Sequence, residues 1–93
     1  MNNEDKKQRR LIEIDSMLKF LKLSMGYCRC YEDITRFEYD PVNECVIVYY
    51  EVYRGEDKSE TFTHNINVAC DSNAAMIHDV YDFCYKFFCL GGI

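Results

Sequence analysis

Cys45-Val46-Ile47-Val48-Tyr49-Tyr50-Glu51-Val52-Tyr53 is a run of nine residues, almost all β-branched or aromatic, with neither Gly nor Pro. Such side chains suit a pleated, half-buried surface, so the run predicts the central strand of a sheet. On its N-terminal side, Asp40-Pro41-Val42-Asn43 reads as a four-residue loop with Pro preset for the first central position of a turn. That loop leads back to a first strand over about 34–39. On the C-terminal side, Arg54-Gly55-Glu56-Asp57-Lys58 turns the chain into a third strand over about 59–68. Three strands in an antiparallel meander result.

Register follows from the two turns. The second turn, centred on Glu56, sets Val52 opposite Glu60, Tyr50 opposite Phe62, Val48 opposite His64 and Val46 opposite Ile66. The first is expected to set Tyr39 opposite Glu44, Phe37 opposite Val46 and Thr35 opposite Val48. Opposed residues point to the same side of a sheet. The predicted core face therefore collects Phe37, Tyr39, Val46, Val48, Tyr50, Val52, Phe62, His64, Ile66 and Val68. The opposite face should display Cys45, Ile47, Tyr49, Glu51 and Tyr53, beside Thr61, Thr63, Asn65 and Asn67.

Helical periodicity flanks the sheet. Leu11, Ile14, Leu18, Leu21 and Met25 recur at spacings of three and four, which draws one stripe along a helix over about 4–25. Met17, Phe20 and Leu23 widen its apolar face, and Gly26 is the expected terminator. The segment from Tyr27 to Asp33 is a connector. A second helix opens at Asp71 or Ser72 as N-cap and carries Ile77, Val80, Cys84 and Phe87 as its stripe, with Met76, Phe83 and Phe88 beside it. Gly91-Gly92 ends it. The predicted fold class is α+β, a two-layer α-β-β-β-α arrangement with both helices on one face of the sheet.

At 93 residues, 48% of them hydrophobic, the chain is expected to form one domain over 1–93, with residues 1–4 frayed. The net charge of −5 is unevenly spread: residues 29–93 carry twelve Asp/Glu against five Lys/Arg, and residues 1–28 carry four against six. A sheet region of that sign repels phosphate backbones, so direct nucleic-acid binding is not expected and basic protein surfaces become the favoured partners. The polar start Met-Asn-Asn-Glu-Asp-Lys-Lys lacks an apolar targeting core. No stretch reaches the roughly 18 apolar residues needed to span a bilayer. A cytoplasmic location without membrane contact is expected, and there the six cysteines stay thiols.

Catalytic chemistry has no signature here. Cys28-x-Cys30 is shorter than a zinc-knuckle spacing, and Cys84-x4-Cys89 lies on a helix where the two thiols diverge. No Gly-rich loop cradles a phosphate, and sequence does not place a nucleophile beside either His64 or His78. The expectation is a non-enzyme with no cofactor and no metal site; the alternative for a metal is Cys28 and Cys30 with a further ligand that the sequence does not name.

The expected functional surface is the outer sheet face, where Ile47, Tyr49, Glu51 and Tyr53 stand. Tyrosines supply large amphipathic contact area at low side-chain entropy cost. Around them Glu38, Asp40, Glu44, Glu56, Asp57 and Glu60 form an acidic rim, and carboxylates on a rigid sheet can imitate phosphates to a basic groove. In size, acidity and helix-sheet-helix order the chain resembles small phage-encoded inhibitors of bacterial defence, anti-CRISPR proteins among them. The resemblance implies an inhibitor that occupies a basic surface of a nucleic-acid-processing protein, and it assigns no individual residue. The alternative expectation is a homodimer with a structural or ligand-binding site between subunits.

Overall fold

Strand β2, Cys45–Tyr53, pairs on both sides and lies at the centre of a three-stranded antiparallel sheet of order β1-β2-β3. The structure is a computed structural model and describes residues 3–26, 28–69 and 71–91. In chain order they form α1 (Asn3–Ser24), a 3-10 turn (Arg29–Tyr31), β1 (Ile34–Asp40), β2, β3 (Ser59–Asn67), α2 (Asn73–Cys84) and a π-helical turn (Tyr85–Cys89). This is the α+β, helix-sheet-helix fold that the sequence predicts. Of the expected frayed end, residues 1–2 lie outside the described residues, as do Tyr27, Cys70 and Gly92. Among the described residues no helix is long and apolar enough to cross a membrane.

The β2–β3 register is the one the turn arithmetic gives, with Val52 opposite Glu60, Tyr50 opposite Phe62, Val48 opposite His64 and Val46 opposite Ile66. The β1–β2 register differs from expectation by two residues: Tyr39 faces Val46 and Phe37 faces Val48. The loop runs over 41–44, one residue later than predicted. Asp40 holds it by accepting from the backbone N–H groups of Val42 (2.9 Å) and Asn43 (3.3 Å) and from Asn43 Nδ2 (2.8 Å). Glu44 closes it at φ 49°, in the left-handed region. A shift of two leaves the side chains from Arg36 to Asp40 on their predicted faces, because the strand period is two.

A bulge at Thr35 corrects the first strand once more. Ile34 pairs with Tyr50 and Arg36 with Tyr49, leaving Thr35 as the extra residue, its hydroxyl donating to the Tyr49 carbonyl at 3.1 Å. The inserted residue reverses the parity of the strand, so Ile34 points into the core while Arg36 stays outside. Ile34 is accordingly buried.

One hydrophobic cluster holds the layers together. It joins Ile14, Leu18, Leu21 and Met25 of α1 and the turn after it to Val46 and Val48 of β2 and to Met76, Val80 and Cys84 of α2. The α1 stripe matches its prediction, with Leu11 half-buried at its outer end. In α2 the buried row is Met76, Val80 and Cys84, spaced by four, and Ile77 stands at its flank. Ser72 is the N-cap, accepting from the Ala75 backbone N–H at 3.1 Å. Arg10 donates to the Asp71 carbonyl (3.1 Å) and Asn73 to Glu13 (3.1 Å), which ties the two helices at that end.

The cover is lopsided. The helices lie over β1 and β2, and β3 is largely exposed along its length. Two expected core residues fall in the uncovered part: Val52 is 37% exposed, and His64 is exposed although its ring stacks on Phe83 at 4.1 Å. His64 is therefore the lid of an aromatic pair and not an enclosed core residue.

Candidate functional site

The outer face of the sheet carries the predicted row Cys45, Ile47, Tyr49, Glu51, Tyr53, with Arg36, Glu38 and Asp40 of β1 on one side and the Thr and Asn residues of β3 on the other. Tyr49 is not a free contact residue. Its hydroxyl donates to Glu38 Oε2 at 2.6 Å, and the Arg36 guanidinium lies 3.9 Å from its ring centre while also pairing with Glu38 Oε2 at 3.2 Å. The Glu38 carboxylate accepting from the phenol holds the Tyr49 pKa above its ordinary value. Arg36, Tyr49 and Glu38 thus form a closed polar cluster, and Tyr49 contributes to the fold of the face as well as to its surface. Cys45, at the far end of the row, is buried, and burial raises its thiol pKa.

The acidic rim is dispersed, with Glu38 held in the Tyr49 cluster. Asp40 is engaged in its turn, and hydrogen bonds from Asn43 and Val42 hold its carboxyl below the usual carboxylate range. Glu60 stands opposite Val52, so it lies on the helix side of the sheet, where it pairs with Arg54 (Nε to Oε2, 3.2 Å). Glu44, Glu56 and Asp57 sit in the two turns, all at positive φ, at opposite ends of the sheet. Glu51 alone stands on the outer face in the central row, with no ion pair among the described residues. The predicted rim is therefore not one continuous patch.

What the structure brings together instead is the open end of β2. Strand β1 begins at Ile34, opposite Tyr50, so Glu51, Val52 and Tyr53 have no strand partner on that side. A single backbone bond from the Glu51 N–H to the Asp33 carbonyl (2.9 Å) closes the gap. Around this unpaired edge lies a pocket of about 500 Å³ with an aromatic wall of Tyr50, Phe62, Phe87 and Phe88. Its rim is Asp33, Glu51, Tyr53 and Arg54. The wall is built by edge and offset contacts: Tyr50 to Phe62 at 5.9 Å, to Phe87 at 5.5 Å and to Phe88 at 5.4 Å. Arg54, already paired to Glu60, places its guanidinium 5.7 Å from the Phe62 ring centre, within the reach of a cation–π contact.

A larger groove of about 760 Å³ runs between α1 and β1. Lys19 pairs with Asp15 (3.0 Å) and Arg36 with Glu38, which leaves Lys22 as an excess positive charge, so the groove does not favour a basic partner. Asp33 and Glu51 line the smaller pocket, both outside any ion pair among the described residues, with the Glu51 side chain on the outer face of the sheet and the aromatic wall on the helix side.

A second cluster stands apart from both. The thiols of Cys28, Cys30 and Cys89 lie within 4.8 Å of one another, with Cys28 and Cys30 exposed and Cys89 half-buried. The neighbouring thiols push the Cys30 pKa up to about 11, Cys89 more than Cys28. Behind them Tyr31 is buried, and desolvation, with hydrogen bonding to Cys89 and Tyr81, raises its hydroxyl pKa. The five described cysteines are free thiols. As expected from the helix, Cys84 points elsewhere: it is in the core, where burial lifts its thiol pKa to about 12.

Sequence reasoning missed Asp33, Tyr50, Arg54, Phe62, Phe87, Phe88 and Cys89 as site residues. Phe87 was part of a regular helical stripe, and the π-helical turn, marked by the Leu90 N–H donating to the Tyr85 carbonyl at 3.2 Å, shifts that stripe. Asp33 and Glu51 are eighteen positions apart and meet only because β1 starts late. Comparison with known proteins gives no match: no family model, no curated protein and no solved structure matches the chain.

Proposed function

We propose that the protein is a small interaction module that binds a basic protein surface through the open end of β2 and the adjoining outer face. The observation that supports this best is the pocket itself, an aromatic box rimmed by Asp33 and Glu51. Aromatic faces and nearby carboxylates both favour a cation, and the guanidinium of Arg54 over Phe62 shows the kind of group that suits the wall. A partner's Arg side chain, entering between Phe62 and Phe88, would find ring faces for its plane, with Asp33 at the rim and Glu51 on the adjoining outer face to attract its charge. Tyr53, 71% exposed, supplies contact area beside it.

The charge distribution extends the reading. Residues 29–93 carry seven more Asp/Glu than Lys/Arg, which steers the sheet toward positive surfaces and away from phosphate. Surfaces of that kind line nucleic-acid channels, so the module acts as an inhibitor that competes with nucleic acid for such a groove, in the manner of the phage-encoded inhibitors it resembles.

The test compares baits. Wild type and Glu51→Lys, each immobilised, are passed over cell lysate at low and high salt, and retained proteins are identified. The expected result is a basic nucleic-acid-binding protein held by wild type at low salt, released by high salt or by added nucleic acid, and not held by Glu51→Lys. Equal retention on both baits contradicts the reading.

A homodimer is the second reading, favoured by a separate observation. Ile12, Phe20 and Leu23 of α1 are 65%, 73% and 77% exposed, an apolar row that the sheet does not cover. Sedimentation as a monomer at high micromolar concentration removes it.

A further inference from the structure

We propose that Cys28, Cys30 and Cys89 form a three-thiolate site for zinc(II), with a fourth position open to solvent. This site stands independently of the partner reading. A tetrahedral zinc ion with Zn–S bonds of about 2.3 Å needs sulfur atoms about 3.8 Å apart. The three sulfurs already lie within 4.8 Å of one another, so closing on the ion asks each to move by less than about 1 Å.

Three features make the convergence a built site. Cys28 precedes the 3-10 turn in extended conformation (φ −100°, ψ 121°) and Cys30 lies within it, so the tight turn brings together two thiols that a strand would hold far apart. Cys89 arrives from the other end of the chain on the π-helical turn. On a regular helix, at about 100° per residue, it would stand some 140° around from Cys84, turned away from the core side that Cys84 occupies. The wider π turn rotates less per residue and brings Cys89 round to the 3-10 turn; single π turns of this kind recur at functional sites. Finally, Tyr31 is buried in the hydrophobic cluster against which Cys89 packs, which anchors the 3-10 turn and the π-helical turn side by side.

The ligand set selects the ion. All three donors are sulfur, and no His, Asp, Glu or further Cys joins them among the described residues, which favours a soft or borderline d¹⁰ cation and excludes Mg²⁺ and Ca²⁺. Binding is balanced by proton loss: each thiol gives up its proton as its sulfur donates to zinc, three protons in all, and water takes the fourth position. The bound ion then staples residues 28–30 to residue 89, and so fixes the turn that carries Phe87 and Phe88 into the aromatic wall.

The experiment uses the full chain, reduced and metal-free, titrated first with cobalt(II) as a spectroscopic stand-in and then with zinc(II). The expected result is one equivalent of cobalt with thiolate-to-metal charge-transfer absorption and tetrahedral visible bands, displaced by one equivalent of zinc with release of protons into weak buffer. Cys28→Ser and Cys30→Ser replace exposed residues and leave packing intact, which circular dichroism checks; each should weaken zinc binding by at least about a hundredfold through loss of one of three ligands. Cys45→Ala, at the other end of the sheet, should leave the titration unchanged. Absence of the charge-transfer band in wild type, an undiminished band in Cys89→Ser, or binding of copper(I) without zinc(II) would each overturn the proposal. So would oxidation-only behaviour, in which two thiols are lost to a disulfide and metal makes no difference to the third.

Discussion

Strands β2 and β3 are both nine residues long and pair residue for residue, yet one is the core of the molecule and the other is mostly solvent-exposed. Pairing therefore does not settle burial. β2 reads Cys-Val-Ile-Val-Tyr-Tyr-Glu-Val-Tyr, and β3 reads Ser-Glu-Thr-Phe-Thr-His-Asn-Ile-Asn. On the helix side β3 offers two apolar residues, Phe62 and Ile66, beside Glu60 and His64, where β2 offers Val46, Val48, Tyr50 and Val52, so two helices with apolar stripes lower the free energy more by lying over β1 and β2. What is left is a sheet with one anchored half and one open half, and the candidate pocket lies where the anchored strand runs out past its cover.

The comparison is sharpened most by truncating the two members of one cross-strand pair. Val46→Ala removes two methyl groups from a fully buried site and should cost about 2–3 kcal/mol in denaturant unfolding. Its partner Ile66 is half-buried, and Ile66→Ala should cost only about 1 kcal/mol although it removes more atoms. Equal losses would mean that β3 is covered after all. The next effect is the helix cap: Ser72→Ala should cost about 1 kcal/mol by leaving the Ala75 N–H without its acceptor, read as a lower midpoint with unchanged slope. His64→Ala probes the one ring that β3 offers to α2, and loss of its stack on Phe83 should cost about 0.5–1 kcal/mol.

The β1–β2 hairpin carries a response to acid. Asp40, which closes the β1–β2 loop, has its carboxyl held below the ordinary 3.8 by Asn43 first and then by the backbone N–H groups of Asn43 and Val42. A carboxyl with a lowered folded pKa adds stability above its unfolded pKa and loses it as pH falls through the folded value. Wild type and Asp40→Asn should therefore differ at neutral pH and converge on acidification below the ordinary carboxylate range, in unfolding curves collected along a pH series. Smallest in stability is Glu51→Lys, expected within about 0.5 kcal/mol of wild type because Glu51 has no ion pair to lose; its effect belongs to binding.

Much of this architecture was legible because it depends on period and turn chemistry. The β2–β3 register followed from a turn centred on Glu56, and the α1 stripe from Ile14, Leu18, Leu21 and Met25. The β1–β2 register did not, because Glu44 takes a left-handed conformation that a sequence disguises in any residue other than Gly or Asn. The Thr35 bulge hid in the same way: nothing in Ile34-Thr35-Arg36 marks which residue is extra. Of the proposed site, Glu51 and Tyr53 belong to the strand that announced itself, whereas Asp33, Phe88 and Cys89 depend on long-range closure and on a helix that changes its turn. Such features are set by packing and not by local pattern. Glu60 is misplaced because the rim is inferred from charge, although the register that sets it opposite Val52 already puts it on the helix side.

The most direct test of the binding account is an NMR titration of the isotopically labelled protein with an arginine-rich peptide at low salt. The account predicts shift changes concentrated at Asp33, Tyr50–Arg54, Phe62 and Phe87–Phe88, suppressed by salt and by Glu51→Lys. Changes centred instead on the groove between α1 and β1, or on the Thr and Asn row of β3, with the open end of β2 unmoved, would contradict it.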